Sequence, residues 1–266
     1  MANIDHALKE FREMDDLAMQ NSPVHALHPL SKLVITIAYI FTVVSFPKYN
    51  LSGLVPMVLY PIVMFIASGV SVSTCFYKLR LVLPLVLAVG LFNPIFDHTP
   101  LLKLGGVVVS GGVISMITLM LKGTFSLMAS FILVATTSID KICAALRKVH
   151  CPSMIVTLFL LTYRYIAVMI DEVAIMTTAY KLRAPGQKGI HYTAWGSFLG
   201  QLLLRSMDKA DELFKSMQLR GFKGDFFYAD VNKARAKDYA FFLLALALIL
   251  IFRYFNVSAI LGNILM

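Results

Sequence analysis

The sequence predicts an all-α polytopic membrane protein with about five transmembrane helices and a cytoplasmic domain of two long crossed helices and a short one. Three observations carry this. Hydrophobic residues make up 58% of the 266 residues and charged ones only 15%, with a mean hydropathy of +0.75, whereas soluble domains average about a quarter charged. The apolar residues fall into separated runs of near-spanning length. The positive charge is concentrated: Ser138 to Lys237 holds 15 Lys/Arg against 8 Asp/Glu, which places that stretch on the cytoplasmic side.

The elements follow in order. Residues 1–29 form a cytoplasmic amphipathic lead-in, with Ile4, Leu8, Phe11 and Ala18 near one helical face. The early acids and bases from Asp5 to Asp16 leave no room for a signal peptide. Ser22 to Pro29 breaks the helix, and His25 and His28 read as turn residues, because two imidazoles without a third donor make a weak metal site. Residues 30–137 hold four spans, Leu30–Phe46, Leu51–Gly69, Leu81–Phe96 and Gly111–Thr136. Pro56, Pro61 and Pro84 predict kinks. Asn93-Pro94 and Asp97-His98 close the third span on the outer side. Lys122 interrupts the fourth; an intramembrane lysine either contacts protein inside the bundle or serves ion passage.

Residues 138–237 form the cytoplasmic domain. Thr137 and Asp140 have capping-box spacing, so a short helix starts there and ends before Cys151-Pro152. A helix then runs from Pro152 to Arg183. Its first half is apolar enough to span, but a crossing would put the basic stretch outside and Arg164 in mid-membrane, so burial against the bundle is expected instead. Pro185-Gly186 stops it. A second long helix, about Tyr192 to Arg220, carries an apolar stripe thinned at Ser206 and Ala210, where Ala167 and Ala174 of the first would let the two cross closely. Both end alike: Lys181-Leu182-Arg183-Ala184 and Gln218-Leu219-Arg220-Gly221, with Asp171 and Asp208 each twelve residues before the arginine. Residues 238–266 supply a last span from Tyr239 to Phe255 and a short tail, giving five crossings, or six if 152–170 crosses.

These residues in this order resemble the T component of energy-coupling-factor transporters, within it the cobalt-type Q subunit. The resemblance rests on Ser22-Pro23, His25, Pro29-x-x-Lys32-Leu33, Thr136-Thr137-Ser138, Ala145-Leu146-Arg147, Pro152, Arg164-Tyr165, Glu172 and the two arginine endings. It implies a scaffold in a bacterial or archaeal cytoplasmic membrane that couples two cytoplasmic ATP-binding-cassette ATPases to a separate small membrane protein holding the substrate. Arg183, Ala184, Arg220 and Gly221 take the ATPase-coupling positions. The family motif usually ends in glycine, and the first copy here reads Leu-Arg-Ala.

The expected cargo is cobalt, with nickel or a vitamin as alternatives; the rival class is an integral membrane transferase. No GxxxxGK[ST], HExxH or GxSxG occurs, so the chain is expected to catalyse nothing and to bind no cofactor or metal of its own. Cys75, Cys143 and Cys151 form no CxxC pair. The net charge of +9 is explained by topology, so nucleic acid is not an expected partner.

Overall fold

The computed structural model describes residue 9 and residues 13–80, 82–96, 100–104, 107–187, 189–224 and 236–254. Helices dominate: α1 (Pro29–Val44), α2 (Leu51–Leu54), a 3-10 turn at Val55–Val58, α3 (Leu59–Ser68), α4 (Val72–Leu79), α5 (Leu83–Leu91) and α6 (Asn93–Phe96) come first. A hairpin of β1 (Pro100–Leu104) and β2 (Val107–Ser110) follows, then α7 (Gly111–Thr136), α8 (Ile139–Lys148), α9 (Ser153–Arg183), α10 (Trp195–Leu219) and α11 (Ala236–Tyr254). The chain divides into two compact units, one of residues 17–138 and 231–266, the other of residues 1–16 and 139–230.

The first unit is built around α7, whose 26 residues rise about 39 Å at 1.5 Å per residue. It packs against α1, α3, α5 and α6, and α11 packs against α1. Threonines are tolerated in so apolar a helix because their hydroxyls bond back to their own backbone, Thr118 to the Ile114 carbonyl and Thr136 to that of Ile132. Gly123 allows α5 close: a Cβ there would lie 2.7 Å from Val86 Cγ1. Proline shapes the second span, with Pro56 in its 3-10 turn. Lacking an N–H, Pro61 leaves the Met57 carbonyl without its helical donor, and the buried Tyr39 hydroxyl donates to it at 2.8 Å. Tyr39 also stacks on Tyr60, with ring centroids 4.4 Å apart.

Three expectations are corrected. The third span is not one helix filling Leu81 to Phe96; α5 is only nine residues long, too short to cross alone, and forms a pair with α4 bent by 64°. The hairpin at 100–110 was not foreseen, since its valine-rich strand reads as the start of the next apolar run. The capping box at Thr137 is not made. Helix α8 starts at Ile139, the Thr137 hydroxyl is buried with no hydrogen-bond partner among the described residues, and Asp140 turns to Arg164 instead.

Leu51–Ser68, α7 and α9 are long and apolar enough to cross a membrane, as is the α4–α5 pair taken together; α1 is a shorter apolar helix. The chain is an integral membrane protein. The expected lead-in helix is described only at its end, where residues 13–18 are helical and Ala18 is buried. Ile4, Leu8 and Phe11, the pair Asp97-His98 and the tail after Tyr254 lie outside the described residues.

Candidate functional site

The second unit carries the paired arginine endings. Helix α9 starts after Pro152, its N-cap, whose carbonyl accepts from the Ile155 and Val156 N–H groups at 3.1 and 3.3 Å. Its first turns pack on α8 through a small core of Cys143, Val156 and Leu160, with Ile139, Leu146 and Cys151 against it. Burial pushes the Cys143 thiol up to about 11, so it stays a protonated packing residue. A 2.9 Å ion pair from Arg164 to Asp140 and a 2.7 Å hydrogen bond from the Tyr163 hydroxyl to Asp15 further tie α9 to the segments before it. Adjacent positions on one helix thus hold two different neighbours.

The expected burial of α9's apolar half is not supplied by these segments. Met154 is 79% exposed, and Ile155, Leu158 and Phe159 are exposed too. Helix α10 has no buried residue at all, although Leu199, Leu203, Met207 and Phe214 are apolar. These two helices present apolar surface rather than consuming it.

Where α9 and α10 meet, Arg205 donates to the half-buried Glu172 in an ion pair. Glu172 was singled out from sequence; its partner was not, and no local pattern marks Arg205. Ser206 and Ala210 line an open apolar groove of about 500 Å³, facing Leu161, Tyr165 and Met169 of α9. Ala167 and Ala174 do not line it.

Each long helix ends differently beyond its arginine. Arg220 caps α10, donating its N–H to the Met217 and Ser216 carbonyls. Gly221 follows with φ +82°, a conformation that costs a side-chain residue dearly, and the Phe222 N–H closes on the Met217 carbonyl at 3.0 Å. Arg183 is the last residue of α9, and Ala184 after it has φ −125°, which alanine adopts freely. The left-handed position falls two residues later, at Gly186 with φ +94°. That explains why the first motif needs no glycine at its third place. The loop beyond is held by the Tyr180 hydroxyl, which donates to Gln187 at 2.8 Å and accepts from the His191 N–H at 3.2 Å. Leu182 and Leu219, beside the two arginines, are 78% and 90% exposed. Both arginines are therefore presented at exposed helix ends.

The remaining candidate lies in the first unit. Lys122 donates to the Val44 carbonyl at 3.1 Å and to that of Phe46, at the C-terminal end of α1. At the other end of α1, the buried Lys32 donates to the Thr136 carbonyl at 2.7 Å, at the C-terminal end of α7. The two antiparallel helices therefore each lend a lysine to the other's negative end. His25 completes this end: its Nε2 faces the Leu17 and Ala135 carbonyls at 3.0 and 3.3 Å, which assigns the ring proton there, and its Nδ1 accepts from Ser22. The His28 N–H donates to the buried Asp238 at 2.9 Å. Both histidines act as turn and cap residues.

Fold and site together define a helical membrane protein with an appended pair of long helices ending in exposed arginines. A family model described as cobalt transport protein, CbiQ, matches residues 20–228. The chain belongs to that family. Relatives include the energy-coupling factor transporter transmembrane protein EcfT of Lactococcus lactis, 26% identical over 77% of this chain and 82% of that protein. The nickel permease LarQ of Lactiplantibacillus plantarum is 26% identical over 39% of this chain and 38% of its own length. The cobalt transport protein CbiQ of Rhodobacter capsulatus is 30% identical over 35% and 38%. The match thus spans well under half of the nickel and cobalt relatives.

Proposed function

We propose that this chain is the transmembrane coupling subunit of an energy-coupling-factor importer for a divalent transition-metal ion, cobalt or nickel. It catalyses nothing itself. Two cytoplasmic ATPases dock on the ends of α9 and α10, and a small substrate-binding membrane protein rides on the assembly. The observation that carries this reading is the matched pair of exposed arginines, Arg183 and Arg220, at the ends of two helices pinned together by Glu172 and Arg205.

The geometry suits a pair of levers. From the pin, Arg183 lies 11 residues along α9 and Arg220 15 residues along α10, arms of about 16 and 22 Å at 1.5 Å per residue. A guanidinium at a helix C-terminus is favoured by the dipole, and its planar fork takes a carboxylate bidentately in a partner's groove. When nucleotide binding draws the two ATPases together, the helix ends move with them, and the pin converts that approach into rotation of the helix pair. The motion reaches the membrane unit through its covalent links, at Asp16–Leu17 and Ser138–Ile139 among them. The exposed apolar faces of α9 and α10 fit a membrane-embedded cargo subunit. Cobalt and nickel are both retained because the relatives carry both names, and the residues choosing between them belong to the cargo subunit.

The test is affinity purification of this chain from its host membranes, wild type against an Arg183→Glu, Arg220→Glu double variant, with mass spectrometry of what accompanies it. Two ATPase copies and a small membrane protein should come with the wild type, and the variant should lose the ATPases. Absence of ATPases from both would sink the proposal.

A further inference from the structure

The end of α1 gathers more positive charge than its structural role requires. Lys122 of α7 bonds the Val44 and Phe46 carbonyls. Arg253 of α11 donates through Nη2 to the Ser45 carbonyl at 3.4 Å and the Ser45 hydroxyl at 3.2 Å, and its guanidinium lies 4.7 Å over the Phe46 ring. In the same turn Lys48 lies 4.6 Å over the Tyr49 ring. A helix C-terminus is worth roughly −0.5 elementary charge. Lys122 and Arg253 together bring two positive charges to it, leaving an excess near +1.5. Among the described residues no carboxylate bonds to either.

From this we infer that Lys122 and Arg253 hold the phosphate of an anionic phospholipid headgroup. One phosphodiester brings the local excess to roughly +0.5, and both cations are only partly buried, so a ligand reaches them from the side. The surroundings choose a lipid over a soluble anion. Phe41 and Val44, within four residues of Ser45 on α1, and Leu250, Ile251 and Tyr254, within three of Arg253 on α11, are all 46% exposed or more, and they offer acyl chains an apolar surface about one helical turn from the charges. Three separate helices set the geometry, so the site is formed before the lipid arrives. Its phosphate locks α1, α7 and α11 together at the end opposite to the Lys32–Thr136 contact.

The experiment uses the purified full chain in a neutral detergent. Thermal unfolding is followed with added phosphatidylglycerol, with phosphatidylcholine of the same acyl chains, and with inorganic phosphate. Phosphatidylglycerol should raise the midpoint clearly above phosphatidylcholine, inorganic phosphate should not reproduce the rise, Arg253→Gln should lose most of it, and Arg253→Lys should keep the greater part. Equal shifts from the two lipids, a full shift from phosphate alone, or an undiminished shift in Arg253→Gln overturns the inference. Native mass spectrometry of the wild type gives a reading that needs no variant: phosphatidylglycerol adducts should survive detergent stripping longer than phosphatidylcholine adducts, and equal retention contradicts the site.

Discussion

The two units of this molecule spend their apolar and polar groups in opposite ways. In the membrane unit, buried side chains reach across sequence to satisfy backbone groups: Lys32 to Thr136, Tyr39 to Met57, Asp238 to His28, His25 to Ala135. Each contact ties a helix to a second element or closes a break in one, and an unmet buried polar group would cost about 1–3 kcal/mol. In the unit of α8, α9 and α10, the second long helix has no fully buried residue, and it meets the first through one ion pair beside an open groove. A part that must hold its shape alone satisfies itself internally. A part that works by contact leaves its apolar stripe and its arginine ends outward.

That contrast breaks most sharply at Lys32. Lys32→Met leaves the Thr136 carbonyl buried without its charged donor and should cost about 2–3 kcal/mol, read as a lowered unfolding midpoint in detergent. Substitution at Arg183 or Arg220, both exposed, should leave that midpoint unchanged. A smaller loss is expected from Tyr39→Phe, about 1–2 kcal/mol, because the Met57 carbonyl freed by Pro61 then has no donor.

In the coupling unit, Glu172→Gln should cost only about 1 kcal/mol, since Arg205 is 41% exposed and water takes over much of its solvation. Its effect should fall on transport instead: metal uptake declines while the ATPases remain bound, because the arms lose their pin. Equal loss of ATPase binding would show that Glu172 serves docking instead. The smallest effect concerns thiols. With Cys143 pushed up to about 11, its thiolate is scarce at pH 8, so maleimide should label the partly exposed Cys151 well before Cys143.

What the sequence showed and what it hid divide along physical lines. Composition and apolar runs were enough for Gly111–Thr136 and for the long helix after Pro152, because length and hydropathy are summed locally. Pro185-Gly186 and Gly221 marked helix ends for the same reason. The contacts that make the membrane unit rigid were invisible: Lys32 and Thr136 lie 104 residues apart, Lys122 and Phe46 76. Arg205 looked like any helix-surface arginine until it appeared opposite Glu172. Thr137 misled, since its spacing to Asp140 matched a capping box while Arg164, 24 residues beyond Asp140, took the carboxylate. The hairpin was lost because its strands, four and five residues long and almost wholly apolar, carry no alternation and merge with the apolar run that follows.

The central claim is that Arg183 and Arg220 act on partners and not on the chain's own fold. Native mass spectrometry of the complex formed with its ATPases tests this most directly, run on wild type and on the Arg183→Glu, Arg220→Glu variant, with unfolding of the isolated chain measured in parallel. The account predicts two ATPases on the wild type, none on the variant, and the same unfolding midpoint for both, a loss of about 2–5 kcal/mol or more of binding with none of stability. ATPases retained on the variant, or a midpoint that falls together with their loss, would contradict it.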